Sequence, residues 1–408
     1  MTNRPTALDV VIIGAGHAGV AAAAELHKRD ANLSICLISN EQPLPYHRPP
    51  LSKKALFDAN LPLELLQAER FYEATNIHLQ RGVTVTHIGR AQRQVKLNDG
   101  QLLTYTQLII ATGSSLRPMP VVGGERAVGV YNYADIQHLG PKLQAADNVV
   151  VIGGGFIGCE IAAGALKLGK KVSLLVSGPR LLRKAIAPAM GVRVTQLHKN
   201  SGMHIHTDCH VSHLDDDGVH TNQGVFGGDL IIAGVGASPN IQLAEQAGLT
   251  IDGGIVVNAF GQTSDAHIYA VGDVASMPLQ GKIQRLESIQ NANDQAQLVA
   301  TNLLAHRHGE LASAYNPVPW FWSDQADLKL QMVGLRHASA EQKTLASDSD
   351  SRMTVVQFTN GVMTQVDTLN MPSNHLAARK LLAMSLDITW DMVQDHNQDL
   401  KQLFKKLR

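Results

Sequence analysis

Three cysteines in 408 residues, Cys36, Cys159 and Cys209, are too few for a disulfide scaffold, and no Cys-x-x-Cys or other closely spaced pair is present. A dithiol relay is therefore excluded, and any electrons this chain carries must leave it without one. No apolar run approaches the roughly 20 residues of a membrane-spanning helix. Neither sign of charge dominates, with Lys+Arg and Asp+Glu at 35 each, so the net charge carries no nucleic-acid footprint. The 44% hydrophobic and 17% charged content is that of a globular chain rather than a disordered one. The polar stretch Met1 to Leu8 runs straight into an apolar segment and leaves no room for a signal peptide, which sets a cytoplasmic expectation. The 18 histidines show no metal-ligand spacing, so no metal is expected; His204 and His206 alternate as on a strand and are read as exposed.

What the chain does have is one turn written twice. Val10 to Ile13 runs into Gly14-Ala-Gly16-His-Ala-Gly19, and Val149 to Ile152 runs into Gly153-Gly-Gly155-Phe156-Ile157-Gly158, each before an alanine-rich helical pattern. The first glycine permits a tight strand-to-helix turn, the second lets backbone approach a pyrophosphate, and the third lets helix pack on strand. The phosphates would then rest on a helix N-terminus. A single copy can be a purely structural turn. Two copies imply two dinucleotides, and two dinucleotides side by side predict hydride transfer between a nicotinamide and a flavin. A chain of 408 residues also exceeds one core, so two or three domains are expected.

Leu108-Ile-Ile-Ala111-Thr112-Gly113-Ser114 and Ile268-Tyr-Ala-Val-Gly-Asp273 each end an apolar strand in a small-residue turn. With the paired glycine turns they resemble the glutathione reductase-like flavoproteins. Pro45 to Lys53, Gly155 to Glu160, Arg285 to Ala296 and Val318 to Gln325 narrow the resemblance to the FAD-dependent ferredoxin and rubredoxin reductases of bacterial oxygenase systems, the putidaredoxin reductase-like and biphenyl dioxygenase reductase-like group. It covers essentially the whole chain. It implies an α/β fold with two Rossmann-like dinucleotide-binding domains plus a C-terminal α+β domain. The FAD-binding domain would take 1–113 and 244–317, the NAD(P)-binding domain 114–243, and the C-terminal domain 318–408. Local patterns predict a helix from Ile161 to Leu168, a strand from Lys171 to Val176, two strands, Met353 to Phe358 and Val362 to Leu369, about Asn360-Gly361, and helices from Leu376 to Ala383 and beyond Asp391.

Site residues follow from the same resemblance. FAD would be held by Gly14, Gly16, Gly19, Glu41, Arg48, the turn Ala111-Thr112-Gly113 and Asp273, the last on the ribityl chain. Asn40 stands where an acid pair is common, leaving Glu41 for the ribose. Ser288 and Ile289 would open a helix whose positive end faces the flavin, and Trp320 would offer a flat surface near the ring. Gly153, Gly155, Phe156, Ile157, Gly158 and Gly236 would hold the nicotinamide nucleotide, with Glu287 in its cleft. Lys53 and Glu160 would form the catalytic pair beside the hydride-accepting nitrogen. Glu160 is read on the first helical turn after Gly158, where a buried carboxylate needs a cation; the alternative is a solvated lysine and a glutamate favoured by the helix dipole. Trp320 and Trp322 have a plain alternative too, as packing within the third domain. His17 and His47 fall inside cofactor motifs without a clear chemical role.

Relatives usually carry an acid at the end of the strand after the second glycine turn, and here that position is Val176, with Arg180 and Arg183 following within expected reach of a 2′-phosphate. NADH is expected to lead, with weakened discrimination and NADPH possible. No cysteine lies between Tyr46 and Lys53, which argues against the NADH oxidase and coenzyme A disulfide reductase branch. The expected reaction is hydride transfer from NADH to FAD, then single-electron delivery to a 2Fe-2S ferredoxin, or a rubredoxin, of an oxygenase serving aromatic hydrocarbon catabolism. No nucleic-acid or membrane partner is expected, and the chain would be a monomer or homodimer. The rivals are a peripheral-membrane or apoptosis-inducing-factor-like flavoprotein, using the amphipathic Asp399 to Arg408 with Leu400, Leu403, Phe404 and Leu407 on one face, and a binding-only module. The same tail read plainly is a helix packed on its own domain.

Overall fold

The computed structural model describes residues 7–58, 61–347, 349–384 and 386–408; the first six residues of the Met1 to Leu8 stretch lie outside them. The chain forms two compact units. One takes residues up to His47, Leu63–Ser115 and Ala237–Pro317; the other takes Arg48–Pro62, Leu116–Gly236 and Val318–Arg408.

The first unit is built on a seven-stranded sheet. Ala7–Ile13 lies between Ile35–Ile38 and Leu102–Ile110, parallel to both, and Ile268–Ala270 adds in parallel to the end of Leu102–Ile110. These strands are near-continuous apolar runs because both faces are covered. Val11, Ile13, Cys36, Ile38, Leu108 and Ile110 pack into one core, while Val10, Ile12, Ile35, Leu37 and Ile109 pack into another with the helices His17–Arg29 and Ile289–His308. Alternation along each strand produces that division.

The second unit holds three sheets of different character, the smallest being the antiparallel Val211–Asp215, Gly218–Thr221, Gly224–Phe226. A parallel four-stranded sheet runs His204–His206, Lys171–Leu175, Asn148–Ile152, Leu230–Ala233. The helix after Asn148–Ile152 spans Phe156–Lys167, starting five residues before the expected Ile161. Gly155 is its N-cap, so Glu160 is the fifth helical residue, and the first turn carries no acid. The placement of Glu160 on a first turn, and with it the dipole explanation, is corrected. An antiparallel five-stranded sheet runs Trp320–Gln325, Leu328–Gly334, Val362–Leu369, Met353–Thr359, Glu341–Thr344. Asn360 and Gly361 turn its hairpin with φ of 52° and 79°, the two left-handed positions a two-residue turn of this hand requires. Helices Pro372–Leu382, Trp390–Asp395 and Leu400–Leu407 complete this region. Leu400 and Leu403 are fully buried in its core, so the apolar face of the C-terminal helix is covered by its own fold. Among the described residues no helix is long and apolar enough to cross a membrane.

Candidate functional site: two glycine cradles and a buried lysine-glutamate pair

In the first unit the turn after Ala7–Ile13 is held by the Gly14 N–H donating to the Ile38 carbonyl at 2.9 Å, with Gly14 at φ +104°. A Cβ on Gly14 would stand 2.2 Å from the Ala111 carbonyl oxygen, and one on Gly19 would stand 1.8 Å from the Gly14 carbonyl oxygen. Those two glycines are required by the fold. Gly16 differs, because a Cβ there would meet nothing within 4 Å. The helix it caps, His17–Arg29, has no side-chain cap and no acid in its first turn, which leaves first-turn N–H groups for an anion.

The second unit repeats this geometry. The Gly153 N–H donates to Leu175 O at 2.8 Å, φ is +116°, and a Cβ would stand 2.4 Å from Gly234 O. One on Gly158 would stand 2.0 Å from Gly153 O, whereas one on Gly155 would meet nothing within 4 Å. Phe156–Lys167 likewise lacks a side-chain cap. In both copies the middle glycine sits where the protein itself leaves space, and that is the fit a dinucleotide pyrophosphate needs.

Of the other residues assigned to the first unit, the Gly272 turn packs on the helix that follows the first cradle. Gly272 of the short helical turn Gly272–Val274 has φ +74°, and a Cβ there would lie 3.0 Å from Ala18 Cβ and 3.8 Å from Ala292 Cβ. Gly272, immediately before Asp273, therefore sits against the first turns of His17–Arg29 and Ile289–His308. The Ser114 hydroxyl lies 3.4 Å from the Asp273 carboxylate, and the Arg285 guanidinium donates to the Asp273 carbonyl at 2.8 Å. Ser288 caps the long helix by accepting the Asn291 N–H at 3.1 Å, ahead of Ile289. Glu41 accepts from the Tyr46 hydroxyl. Glu287 is half exposed and paired with Arg285 at 2.7 Å. His17 and His47 meet through Nε2 and Nδ1 at 3.3 Å. Sequence reading missed Asn240, which pins the Ala111-Thr112-Gly113 turn: it donates to Thr112 O at 2.8 Å, and its own carbonyl and N–H engage Thr112 Oγ1 and Gly113 O.

In the second unit Lys53 and Glu160, 107 positions apart in sequence, form an ion pair of 3.0 Å. Glu160 is 5% exposed and its carboxylate is fully engaged. Ser52 donates to one oxygen at 2.5 Å, and Ser323 donates to the oxygen that Lys53 approaches, at 2.6 Å. Neither serine was assigned a role from sequence. Behind Ser323 runs a directed chain: His198 Nε2 contacts Gln325 Oε1 at 2.8 Å, and the Gln325 amide donates to Ser323 Oγ at 3.1 Å. A carboxylate only accepts, so each donor in this chain points toward Glu160. Burial holds the His198 ring below its usual pKa, which keeps it neutral. Burial, followed by the charge of Glu160, pushes the Cys159 thiol far up, so it is no redox thiol.

The remaining residues of this unit divide. Arg48 donates to Tyr131 O at 2.9 Å and lies over the Tyr131 ring. Phe156 packs on Phe321 with centroids 4.6 Å apart, and Ile157 is exposed. Gly236, at φ +104°, has open space where a Cβ would be. Trp320 is half-buried on the C-terminal core, with Trp322 at 5.5 Å, the Arg379 guanidinium at 4.2 Å and His375 edge-on at 5.9 Å. Burial, then Arg379, pushes His375 down to about 4.

Two expectations fail here. Arg180 is not free to meet a phosphate: it is 8% exposed, and its guanidinium donates to the carbonyls of Leu181, Arg183 and Ile186 at 3.3–3.4 Å. Arg183 is exposed, with its guanidinium alongside Gly178. Nor are both histidines of His204–His206 exposed, since His206 is half-buried edge-on to Phe226 at 4.5 Å.

Residues 8–296 match the pyridine nucleotide-disulphide oxidoreductase family, and residues 320–404 match a reductase C-terminal family. Rhodocoxin reductase of Rhodococcus erythropolis is 36% identical over 97% of this chain and 94% of its own length. The ferredoxin-NAD(+) reductase component of the anthranilate 1,2-dioxygenase system of Burkholderia cepacia is 37% identical over 91% of this chain and 93% of its own. The fold superposes with a TM-score of 0.90 and 34% identity on the solved covalent putidaredoxin reductase-putidaredoxin complex, covering 98% of each chain. The chain belongs to the pyridine nucleotide-disulphide oxidoreductase family, and it is homologous along its whole length to the ferredoxin reductases of oxygenase systems.

Proposed function

We propose that this chain is an FAD-dependent NAD(P)H:ferredoxin reductase that takes a hydride from NADH and delivers electrons singly to a small 2Fe-2S ferredoxin serving an oxygenase. The observation that carries the two-nucleotide reading is the pair of open glycines, Gly16 and Gly155, in one chain. The full-length relatives supply the acceptor class and the oxygenase context, aromatic catabolism included. Bound FAD supplies a ring that accepts electrons in pairs and releases them one at a time.

The chain's own residues do the rest. Gly14, Gly16, Gly19 and the first turn of His17–Arg29 are assigned to the FAD pyrophosphate, Glu41 to its ribose, Asp273 to the ribityl chain, and Arg48, Ala111, Thr112, Gly113, Ser288, Ile289 and Trp320 to further contacts. Gly153, Gly155, Phe156, Ile157, Gly158, Gly236 and Glu287 are assigned to the nicotinamide nucleotide. Lys53 and Glu160 are assigned to tuning the flavin, with Ser52 and Ser323 fixing the carboxylate so that the ammonium has one place to sit. These assignments follow an FAD-binding domain of 1–113 and 244–317, an NAD(P)-binding domain of 114–243 and a C-terminal domain of 318–408. A cytoplasmic monomer or homodimer fits this role. The burial of Leu400 and Leu403 speaks against a membrane-docking tail.

Anaerobic NADH should bleach the flavin absorbance, and the reduced protein should then reduce a 2Fe-2S ferredoxin faster than a rubredoxin. Failure to bleach would leave a binding-only module. A preference for rubredoxin would move the acceptor to the alternative class.

Lys53→Ala is expected to retain FAD and to slow flavin reduction by NADH about tenfold. Glu160 stays buried with two serine donors but no cation, so the variant should melt at a lower temperature, and the rate is compared at a temperature where both proteins are folded and flavin-loaded. Stopped-flow traces matching the wild type would remove Lys53 from the chemistry. Asp273→Ala should instead be purified with a substoichiometric flavin content, read from the ratio of flavin to protein absorbance. A fully loaded mutant would show that the ribityl chain is held elsewhere.

A further inference from the structure

The strands Val211–Asp215 and Gly218–Thr221 bring His213, Asp215 and His220 together, and their ligand atoms all lie within 4.8 Å of one another. This is the one such group of three among the described residues, and no spacing in the sequence marks it. His213 and His220 are directly opposite in the antiparallel register, with rings stacked at 4.0 Å and 15°. Both present Nε2 to one carboxylate: His220 Nε2 is 2.8 Å from one Asp215 oxygen and His213 Nε2 is 3.7 Å from the other.

The hydroxyl of Ser212 fixes how His213 is protonated. Its oxygen lies 3.1 Å from the carbonyl of His220 and 3.1 Å from His213 Nδ1. A carbonyl can only accept, and a hydroxyl has one hydrogen, so Ser212 donates to the carbonyl and accepts from Nδ1–H. Neutral His213 then carries its lone pair on Nε2, aimed at a carboxylate oxygen. In that form two acceptors face each other at 3.7 Å, a contact that either a proton on Nε2 or a bound cation relieves. The Asp217 N–H donates at 3.0 Å to the same Asp215 oxygen that His220 approaches. The side chains are 43%, 42% and 23% exposed, which leaves room for water to enter as a further ligand.

We propose that His213, Asp215 and His220 form a binding site for a divalent transition-metal ion of the Zn²⁺ class, with Ser212 as the outer residue that sets the His213 tautomer. Two imidazoles, one carboxylate and a water make a familiar tetrahedral set, and the outer hydrogen bond presents a bare nitrogen to the metal. Ligand bonds of about 2.0–2.2 Å put neighbouring ligands roughly 3.3 Å apart. Reaching that value from a spread of up to 4.8 Å requires the two stacked imidazoles to rotate out of parallel, which their partial exposure permits. A bound ion ties the first strand of the hairpin to the second. The cysteines are all buried and do not compete.

The test uses the full-length, flavin-loaded protein, stripped with chelator and dialysed against micromolar Zn²⁺, with bound metal measured by elemental analysis. The wild type should retain one zinc per chain and melt at a higher temperature with the metal than without it. His220→Gln and Asp215→Asn should each bind at least about tenfold more weakly and lose the thermal shift, Ser212→Ala should weaken binding about tenfold, and His204→Gln should behave as wild type. NADH-dependent flavin reduction should be the same in all of them. If His220→Gln melts abnormally without metal, binding by Asp215→Asn decides the matter. Less than one zinc in the wild type, or undiminished binding in Asp215→Asn, overturns the site and leaves a proton-shared histidine pair.

Discussion

Gly155→Ala is expected to fold and melt as the wild type does while losing affinity for the nicotinamide nucleotide by about a hundredfold, equivalent to about 2.7 kcal/mol. Gly158→Ala should do the reverse and destabilise the second unit by about 1–3 kcal/mol. The distinction comes from what a single methyl group meets. At Gly158 it would stand 2.0 Å from the Gly153 carbonyl oxygen, so strand and helix must part. At Gly155 it meets no protein atom within 4 Å, so the folded chain places no demand for glycine there. Glycine there is what a nucleotide phosphate at hydrogen-bond distance from the backbone would require. Gly16→Ala and Gly19→Ala should reproduce the contrast in the first unit, with flavin content replacing nucleotide affinity as the readout. Thermal melting of the purified variants together with NADH titration of Gly155→Ala provides the measurement. Undiminished affinity in a well-folded Gly155→Ala would mean that the nucleotide does not lie along this turn.

The glycine turns were legible because everything that makes them is local: four apolar residues, three glycines at fixed spacing, and a helical pattern after them. The Lys53 and Glu160 pairing was legible only through family resemblance, since residues 107 positions apart carry no local sign that their side chains will meet. The network behind it was not legible at all. Ser323, Gln325 and His198 come from a strand and a helix whose approach is a tertiary event, and a serine in Trp-Phe-Trp-Ser-Asp-Gln looks like any strand polar residue.

Arg180 shows the opposite failure. A basic residue after the strand end was expected to face ligand, but the loop wraps it and gives its guanidinium three backbone carbonyls. A second anchor from the C-terminal sheet makes that wrapping rigid. The Ala187 N–H donates to buried Asp367 at 2.7 Å, and Gln365 donates to Ala185 O at 3.1 Å. Burial pushes the Asp367 carboxyl up to about 7 against those donors and the nearby Arg336 and Arg180. The His213 and His220 pair was hidden for a simpler reason. Seven positions separate them in sequence, and only the hairpin register closes that distance.

The anchored loop makes nucleotide choice the sharpest remaining test. Val176 follows the strand Lys171–Leu175, is 5% exposed, and packs so closely on the glycine turn that a Cβ on Gly154 would lie 2.8 Å from its Cγ1. The Leu182 N–H donates to Gly154 O at 2.8 Å and folds the loop back over the same turn. Position 176 is therefore beside the turn assigned to the pyrophosphate, as a ribose-reading residue must be, but it supplies no carboxylate to accept the ribose hydroxyls or repel a phosphate. With Arg180 committed to backbone, Arg183 is the exposed cation of the pair. Specificity is a difference of affinities, and a missing repulsion weakens it as surely as a new attraction. Val176→Glu should raise the NADH-to-NADPH ratio of kcat/KM by roughly ten- to a hundredfold, the scale of one to three kcal/mol for a charge-assisted contact. Arg183→Ala should raise the same ratio by lowering the NADPH value alone, and more modestly, because its guanidinium works in solvent. Steady-state kinetics of the three proteins with both nucleotides measures this directly. A wild type that already rejects NADPH as firmly as Val176→Glu would place discrimination at some other residue and would detach the end of this strand from the ribose.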